Sequence, residues 1–133
     1  MLLQIKKYSD IILIMEIWKK LESVKRANGV IRYYEDYEVS NYGRVRSYKR
    51  KEPAILKGHF DPAGYINHML ADTTGKHVNV RAHTLVIQTF LGYPEDGMVV
   101  CHYDDVKTNN RLDNLRYDTR KANWKDIVRN KNS

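Results

Sequence analysis

The chain has 133 residues, of which 42% are hydrophobic and 29% are charged, a balance typical of a globular protein rather than a disordered one. Its longest apolar run, residues 11–15, is much shorter than the ~20 residues that cross a bilayer and too short for a signal-peptide core, so no membrane partner is expected. The single cysteine, Cys101, excludes an internal disulfide and fits a reducing cytoplasm, and a net charge of +7 indicates a polyanionic partner.

The charge is unevenly distributed along the chain. Residues 43–57 carry six basic and one acidic side chain, and residues 106–133 carry eight basic and three acidic ones. Between them, residues 58–105 carry two basic and six acidic side chains. Basic segments can neutralise phosphates, whereas an acidic centre repels them unless a metal ion or a general base lies there. A solvated surface with uneven charge is the alternative that composition leaves open.

The N-terminal part is predicted to begin with a helix and to continue as short strands. Asp10 is a plausible N-cap, and Ile14, Trp18 and Leu21 fall on one stripe at helical spacing, so residues 10–27 are predicted to be helical. An Asn-Gly turn ends this helix. Segments rich in Tyr, Val and Ile then predict short strands within residues 30–39, 44–48 and 55–57.

The remaining chain is predicted to fold as strands, a short helix, two more strands and a final helix. Turns that contain Gly, Pro and Asp separate the strands. In chain order, the elements are strands at 65–70 and 78–82, a helix at 83–91, strands at 98–101 and 115–117, and a helix from about 118 to 130.

The last strand–loop–strand–helix segment carries the polar groups of a candidate catalytic site. His102 ends a buried strand, asparagines lie in and after the loop, and Asn123 lies on the final helix. A neutral imidazole can take a proton from water, and asparagine oxygens are hard ligands suited to Mg²⁺ or Mn²⁺. The same pattern also fits a structural histidine beside a turn, with asparagines that only shape the loop.

This segment resembles the HNH nucleases of phage and intron-encoded homing endonucleases, whose core is a ββα-metal fold. Asn114 follows His102 by twelve residues, Asn123 follows Asn114 by nine, and residues 109–115 read NNRLDNL, as in that family. Residues 82–91 resemble a further segment of the family. The resemblance implies that His102 is the general base. It also implies that Asn114 hydrogen-bonds across the loop and holds His102 in its working orientation.

Residues 17–19 and 37–47 resemble the nuclease-associated modular motif that precedes the HNH domain in these enzymes. Together, the two resemblances imply an α+β fold with two parts. These are a β-rich N-terminal DNA-binding part at residues 1–57 and an HNH nuclease domain at residues 58–133, with its ββα-metal core at about 97–130.

The resemblance also implies one divalent metal ion, Mg²⁺ or Mn²⁺, as cofactor. Asn123 is the implied ligand on the helix. On the strand the family usually has Asp or Asn before the histidine, whereas this chain has Cys101. Cys101 is either the second ligand or a small buried residue that ends the strand. His83, in the predicted short helix, is interpreted as structural.

Two groups of basic residues are expected to bind DNA. Arg44 and Arg46 lie two residues apart on a predicted strand and therefore on one face, where a β-ribbon can enter a groove or follow the DNA backbone. The alternative is a charged edge strand that prevents aggregation. The residues assigned to DNA binding are Arg44, Arg46, Lys49, Arg50, Lys51, Lys121 and Lys125.

The resemblance therefore implies a metal-dependent HNH endonuclease of the homing type that hydrolyses phosphodiester bonds of double-stranded DNA. One active site per chain favours nicking of one strand, and the sequence leaves a monomer or a homodimer open. The alternative is a DNA-binding protein whose HNH core is inactive because of Cys101. A phage or mobile-element protein of this kind is expected in the cytoplasm of a bacterial host.

Overall fold

The computed structural model describes residues 15–132 as short antiparallel strands around one central helix, with a second helix at the end. The strands are β1 (Trp18–Lys20), β2 (Ser23–Lys25), β3 (Ile31–Tyr33), β4 (Tyr37–Ser40), β5 (Val45–Ser47), β6 (Ala54–Ile55), β7 (His59–Phe60), β8 (Ile66–Ala71), β9 (His77–Arg81), β10 (Met98–His102) and β11 (Leu115–Thr119). The helices are α1 (Ala82–Leu91) and α2 (Arg120–Asn132), and neither described helix has the length and apolar character needed to cross a membrane.

The helix predicted for residues 10–27 is wrong for the described residues 15–27, which form β1 and β2 instead, and residues 10–14 of that prediction lie outside the described residues. β1 pairs with β4, with Trp18 opposite Ser40, and the Leu21 N–H donates to the Tyr37 carbonyl over 3.0 Å. A spacing of three residues, as between Trp18 and Leu21, fits one face of a helix. It is equally compatible with a short strand, β1, followed by the connection to β2. Pairing with a distant strand decided between the two, as tertiary context often overrides local preference.

The strands belong to four antiparallel sheets. The first has the order β1-β4-β5-β6, and the others are β2-β3, β7-β8-β9 and β10-β11. The strands, the short helix and the final helix predicted from residue 30 onwards are confirmed, with bounds that differ by a few residues. The two-residue strand β7 has no counterpart among the predicted elements, because so short a segment carries no periodic pattern.

The core joins both halves of the chain through α1. Leu85, Val86 and Ile87 on this helix are fully buried. They belong to one apolar cluster with Val39 from β4 and Leu115 from β11. Burial of side chains this large contributes roughly 1.5–3 kcal/mol each, so the cluster couples the stability of the two halves. The division of the chain at residue 57 stays a prediction.

A side-chain amide on α1 also clasps the main chain of β2. The Lys25 N–H donates to Gln88 Oε1 over 2.9 Å, and Gln88 Nε2 donates to the Lys25 carbonyl over 2.8 Å. Gln88 is only 8% exposed. Because both main-chain groups of Lys25 are satisfied in this way, the clasp stands in for a neighbouring strand and fixes β2 against α1.

Candidate active site

The candidate site is built on the antiparallel ribbon of β10 and β11 and on the helix α2 that follows it. In the register of the ribbon, His102 lies opposite Leu115 and Cys101 lies opposite Arg116. Since side chains alternate along a strand, His102 and Leu115 share the face that meets the core, while Cys101 and Arg116 share the other face. The predicted strand–loop–strand–helix order is therefore present, with the histidine at the end of the first strand.

His102 is held in a buried cluster of rings. Its side chain is 9% exposed, and its Nε2 lies 3.0 Å from Asn110 Oδ1. An amide oxygen only accepts hydrogen bonds, so Nε2 carries the hydrogen and the lone pair is on Nδ1. The ring of His83 packs edge-on at 5.2 Å between centroids, and the ring of Tyr65 lies at 6.2 Å. These contacts fix both the tautomer and the ring orientation of a candidate base.

His83 contributes a second buried imidazole to this cluster. Burial lowers the pKa of His83 to about 3, and the nearby charge of His102 makes a smaller contribution in the same direction. The ring is therefore neutral at pH 7 and packs against His102 without adding a charge. This agrees with the structural role that the sequence suggested for His83.

The direct partner of His102 is Asn110, where the sequence pointed to Asn114. Asn114 does bond across the loop, but its Nδ2 donates to Asp104 Oδ1 and to the Asn109 carbonyl, each over 2.8 Å. The Asp104 N–H donates back to Asn114 Oδ1 over 3.3 Å. Asn114 thus stabilises the loop by bonding to Asp104 and Asn109. Any influence of Asn114 on the orientation of His102 is transmitted through the loop.

Cys101 lies next to this site but does not suit a hard cation. The residue is 1% exposed, and its Sγ contacts the Val99 carbonyl at 3.7 Å. Burial raises the pKa of the Cys101 thiol, which keeps it protonated at pH 7. A protonated thiol is a poor ligand for Mg²⁺. The alternative that the sequence left open, a small residue that packs at the end of the strand, is the better fit.

Asn123 lies half-buried in the first turns of α2, and its amide oxygen has the chemistry of a hard ligand. Within residues 15–132, no group of three or more His, Cys, Asp or Glu side chains is arranged to hold a metal ion. The two ligands implied by the resemblance, Asn123 and Cys101, therefore do not form by themselves a site for Mg²⁺.

The predicted DNA-binding arginines lie on a surface formed by Trp18, Arg44 and Arg46, which we call the Trp18 surface. The Arg46 guanidinium lies 4.0 Å from the centroid of the Trp18 ring, and the Arg44 guanidinium lies at 5.3 Å. Both arginines are also paired with carboxylates: Arg44 with Glu16, and Arg46 with Glu38 over 2.7 Å. The ion pairs and the ring hold both guanidinium groups in fixed orientations on one face, as the strand pattern predicted.

The other predicted DNA-binding side chains are exposed. Lys49 lies 3.3 Å from Asp36, Arg50 and Lys51 lie in the segment after β5, and Lys121 and Lys125 lie on α2. The turn that joins β4 to β5 connects the Trp18 surface to the loop between β10 and β11 (residues 103–114), because the Leu112 N–H donates to the Asn41 carbonyl over 2.9 Å. Lys121 and Lys125 share a helix with Asn123.

Comparison with known proteins gives two adjacent family matches. The sequence model of the NUMOD4 motif matches residues 16–71, and that of the HNH endonuclease family (HNH_3) matches residues 80–125. The chain is 38% identical over 91 residues to DNA endonuclease I-HmuI of Bacillus phage SP01, a match that covers 68% of this chain and 51% of that protein. It is 32% identical over 97 residues to the uncharacterized HNH endonuclease L245 of Acanthamoeba polyphaga mimivirus, covering 73% of this chain and 28% of that protein.

The fold also matches a solved structure, described as DNA binding and cleavage by the HNH homing endonuclease I-HmuI. The TM-score is 0.64 with 32% sequence identity, and the match covers 85% of this chain and 58% of that chain. This chain spans about half the length of I-HmuI and about a quarter of the mimivirus protein. The chain therefore carries a NUMOD4 motif followed by a domain of the HNH endonuclease family, in a fold that it shares with the homologous I-HmuI.

Proposed function

We propose that the chain hydrolyses phosphodiester bonds of double-stranded DNA and that His102 is the general base. The observation that carries this proposal is the buried His102 at the end of β10, anchored through Nε2 by Asn110. The relative I-HmuI is a DNA endonuclease by name, which supports DNA as the substrate class.

The anchored imidazole suits the deprotonation of water. With its hydrogen on Nε2, His102 can accept a proton at Nδ1, and the ring need not rotate to do so. The Asn110 amide oxygen then stabilises the positive charge that the imidazolium gains. Neutral His83 beside it adds no repulsion to that charge.

We also propose a requirement for one divalent cation, Mg²⁺ or Mn²⁺. Such an ion supplies charge stabilisation at the phosphate and the leaving oxygen when it is bound. Asn123 fits this ion by its chemistry and Cys101 does not, so the steps assigned to this chain rest on His102 and Asn110 alone.

The test is cleavage of supercoiled plasmid that carries phage DNA, with Mg²⁺, with Mn²⁺ and with a chelator. Nicked circles as the first product support cleavage of one strand by one site per chain, whereas linear product from the start indicates a paired cut by a dimer. Intact plasmid under every metal condition, together with retained DNA binding, would establish the alternative, a DNA-binding protein with an inactive HNH core. The buried thiol of Cys101 is the observation that favours this alternative.

DNA binding is expected to depend on the Trp18 surface. The double variant Arg44→Ala/Arg46→Ala should bind DNA more weakly and with a flatter salt dependence, by about 0.9 in log–log slope for each phosphate that the variant no longer neutralises. Fluorescence anisotropy at several salt concentrations measures both quantities. The control Arg26→Ala/Lys76→Ala removes the same charge from two exposed hairpin turns and should change the slope much less. Equal slopes for the two double variants would contradict a role of this surface in binding phosphates.

The remaining basic side chains are also proposed to bind DNA. Lys49, Arg50 and Lys51 continue the charge beyond β5, and Lys121 and Lys125 add charge on α2 beside the candidate site. We propose that these groups contact the DNA backbone on both sides of the cut. The match to a protein of a Bacillus phage supports action in the cytoplasm of a bacterial host.

A further inference from the structure

The turn between β4 and β5 is packed against the main chain of the loop between β10 and β11, which contains Asn110. Gly43 in this turn has φ +91°, and a Cβ atom at this position would lie 2.8 Å from the Asn110 carbonyl oxygen and 3.2 Å from the Asn110 Cβ. The turn is closed by the Ser40 N–H, which donates to the Arg44 carbonyl over 2.8 Å. Only glycine combines this conformation with so close an approach of two main chains.

Two further contacts join the same turn to the residues that follow Asn110. The Leu112 N–H donates to the Asn41 carbonyl over 2.9 Å, and the Arg111 guanidinium lies 4.1 Å from the centroid of the Tyr42 ring. The side chain of Asn41 is buried and accepts a hydrogen bond from the Ile17 N–H. The turn is therefore held in place by contacts with the N-terminal part of the chain, independently of its contacts with the loop.

We propose that the turn Ser40–Arg44 is a positioning element of the active site, in which Gly43 sets the place of Asn110 and Asn110 sets the orientation of His102. The inference rests on the proposed role of His102 as the base. It makes the NUMOD4 motif a part of the catalytic machinery as well as a surface for DNA. Asn110 is 5% exposed and lies between Gly43 and His102, so a displacement of its main chain moves the amide that holds the imidazole.

The test is Gly43→Ala, with Gly29→Ala and Gly75→Ala as matched controls. Gly29 and Gly75 have φ of +86° and +87°, and a Cβ atom at either position would meet nothing within 4 Å. All three variants therefore carry the same kind of backbone strain, and only Gly43→Ala pushes on Asn110. We expect the single-turnover cleavage rate of Gly43→Ala to fall by about 10- to 100-fold, with an unchanged Kd for DNA, and the controls to keep the wild-type rate.

A spectroscopic signature separates positioning from general damage. Long-range ¹H–¹⁵N spectra report the tautomer and the hydrogen bonding of the His102 ring, and we expect them to change in Gly43→Ala and not in the controls. An unchanged spectrum and rate in folded Gly43→Ala would overturn the inference. If His102→Ala cuts DNA at the wild-type rate, the proposed role of His102 as the base is wrong, whereas the ring spectrum still decides whether Gly43 positions His102. If Gly43→Ala does not fold, Tyr42→Ala decides by the same two readouts.

Discussion

Replacement of His102 by alanine is expected to slow DNA cleavage by about 100- to 10,000-fold, the usual contribution of a positioned general base. Water then has no group to take its proton, while the residues that contact DNA are unchanged. The loss should therefore appear in the single-turnover rate constant, with the Kd for DNA close to that of the wild type. Rapid-quench cleavage and anisotropy titrations on the same preparations measure the two quantities.

The control for this variant is His77→Ala, which removes an exposed imidazole from β9. It should cut at the wild-type rate. A folded His102→Ala protein that cuts as fast as His77→Ala would refute the assignment of the base. A parallel loss of DNA affinity would instead place His102 in binding.

Asn110→Ala is expected to cleave about 10- to 100-fold more slowly than the wild type. Asn114→Ala is expected to lose less of the cleavage rate. Loss of the Asn110 amide leaves the buried Nε2–H of His102 without its acceptor, which costs about 1–3 kcal/mol of stability and frees the ring to turn. Asn114 bonds to Asp104, an exposed residue whose carboxylate can take water instead. Its loss should lower the Tm while the rate falls less.

The comparison needs both variants in folded form, so thermal unfolding is followed beside single-turnover cleavage. If Asn114→Ala has the slower cleavage at an equal folded fraction, the orienting role returns to Asn114, as the spacing of the sequence first suggested. Equal small losses in both variants would mean that His102 keeps its orientation through its contacts with His83 and Tyr65.

The sequence was sufficient to predict the elements that surround the site. Alternating strands from residue 30 onwards, the helix over residues 83–91 and the final strand–loop–strand–helix order all follow from local patterns, and the structure confirms them. The spacing between His102, Asn114 and Asn123 identified the segment that matches the HNH family. These features are readable because the residues that determine them are close together in the chain.

The features that the sequence did not reveal depend on contacts between distant segments. Residues 15–27 form strands because β4 and β3 are available to pair with them, which no local stripe reports. The choice of Asn110 as the partner of His102 depends on packing by Gly43, which lies far earlier in the chain. Asn109 and Asn110 are neighbours of the same type, and only the fold shows which one is buried beside the imidazole.

The clasp between Gln88 and Lys25 has a consequence for the divergence of this sequence. Both of its hydrogen bonds go to main-chain atoms of Lys25, so any residue except proline can occupy position 25 without breaking them. At position 88 the freedom is much smaller, because asparagine is one methylene shorter and glutamate cannot donate to a carbonyl. We therefore expect related sequences to have many residue types at position 25 and few at position 88. If recombination exchanged the N-terminal motif between related enzymes, Gln88 could form the same two hydrogen bonds with the new motif, whichever side chain, other than proline, it has at position 25.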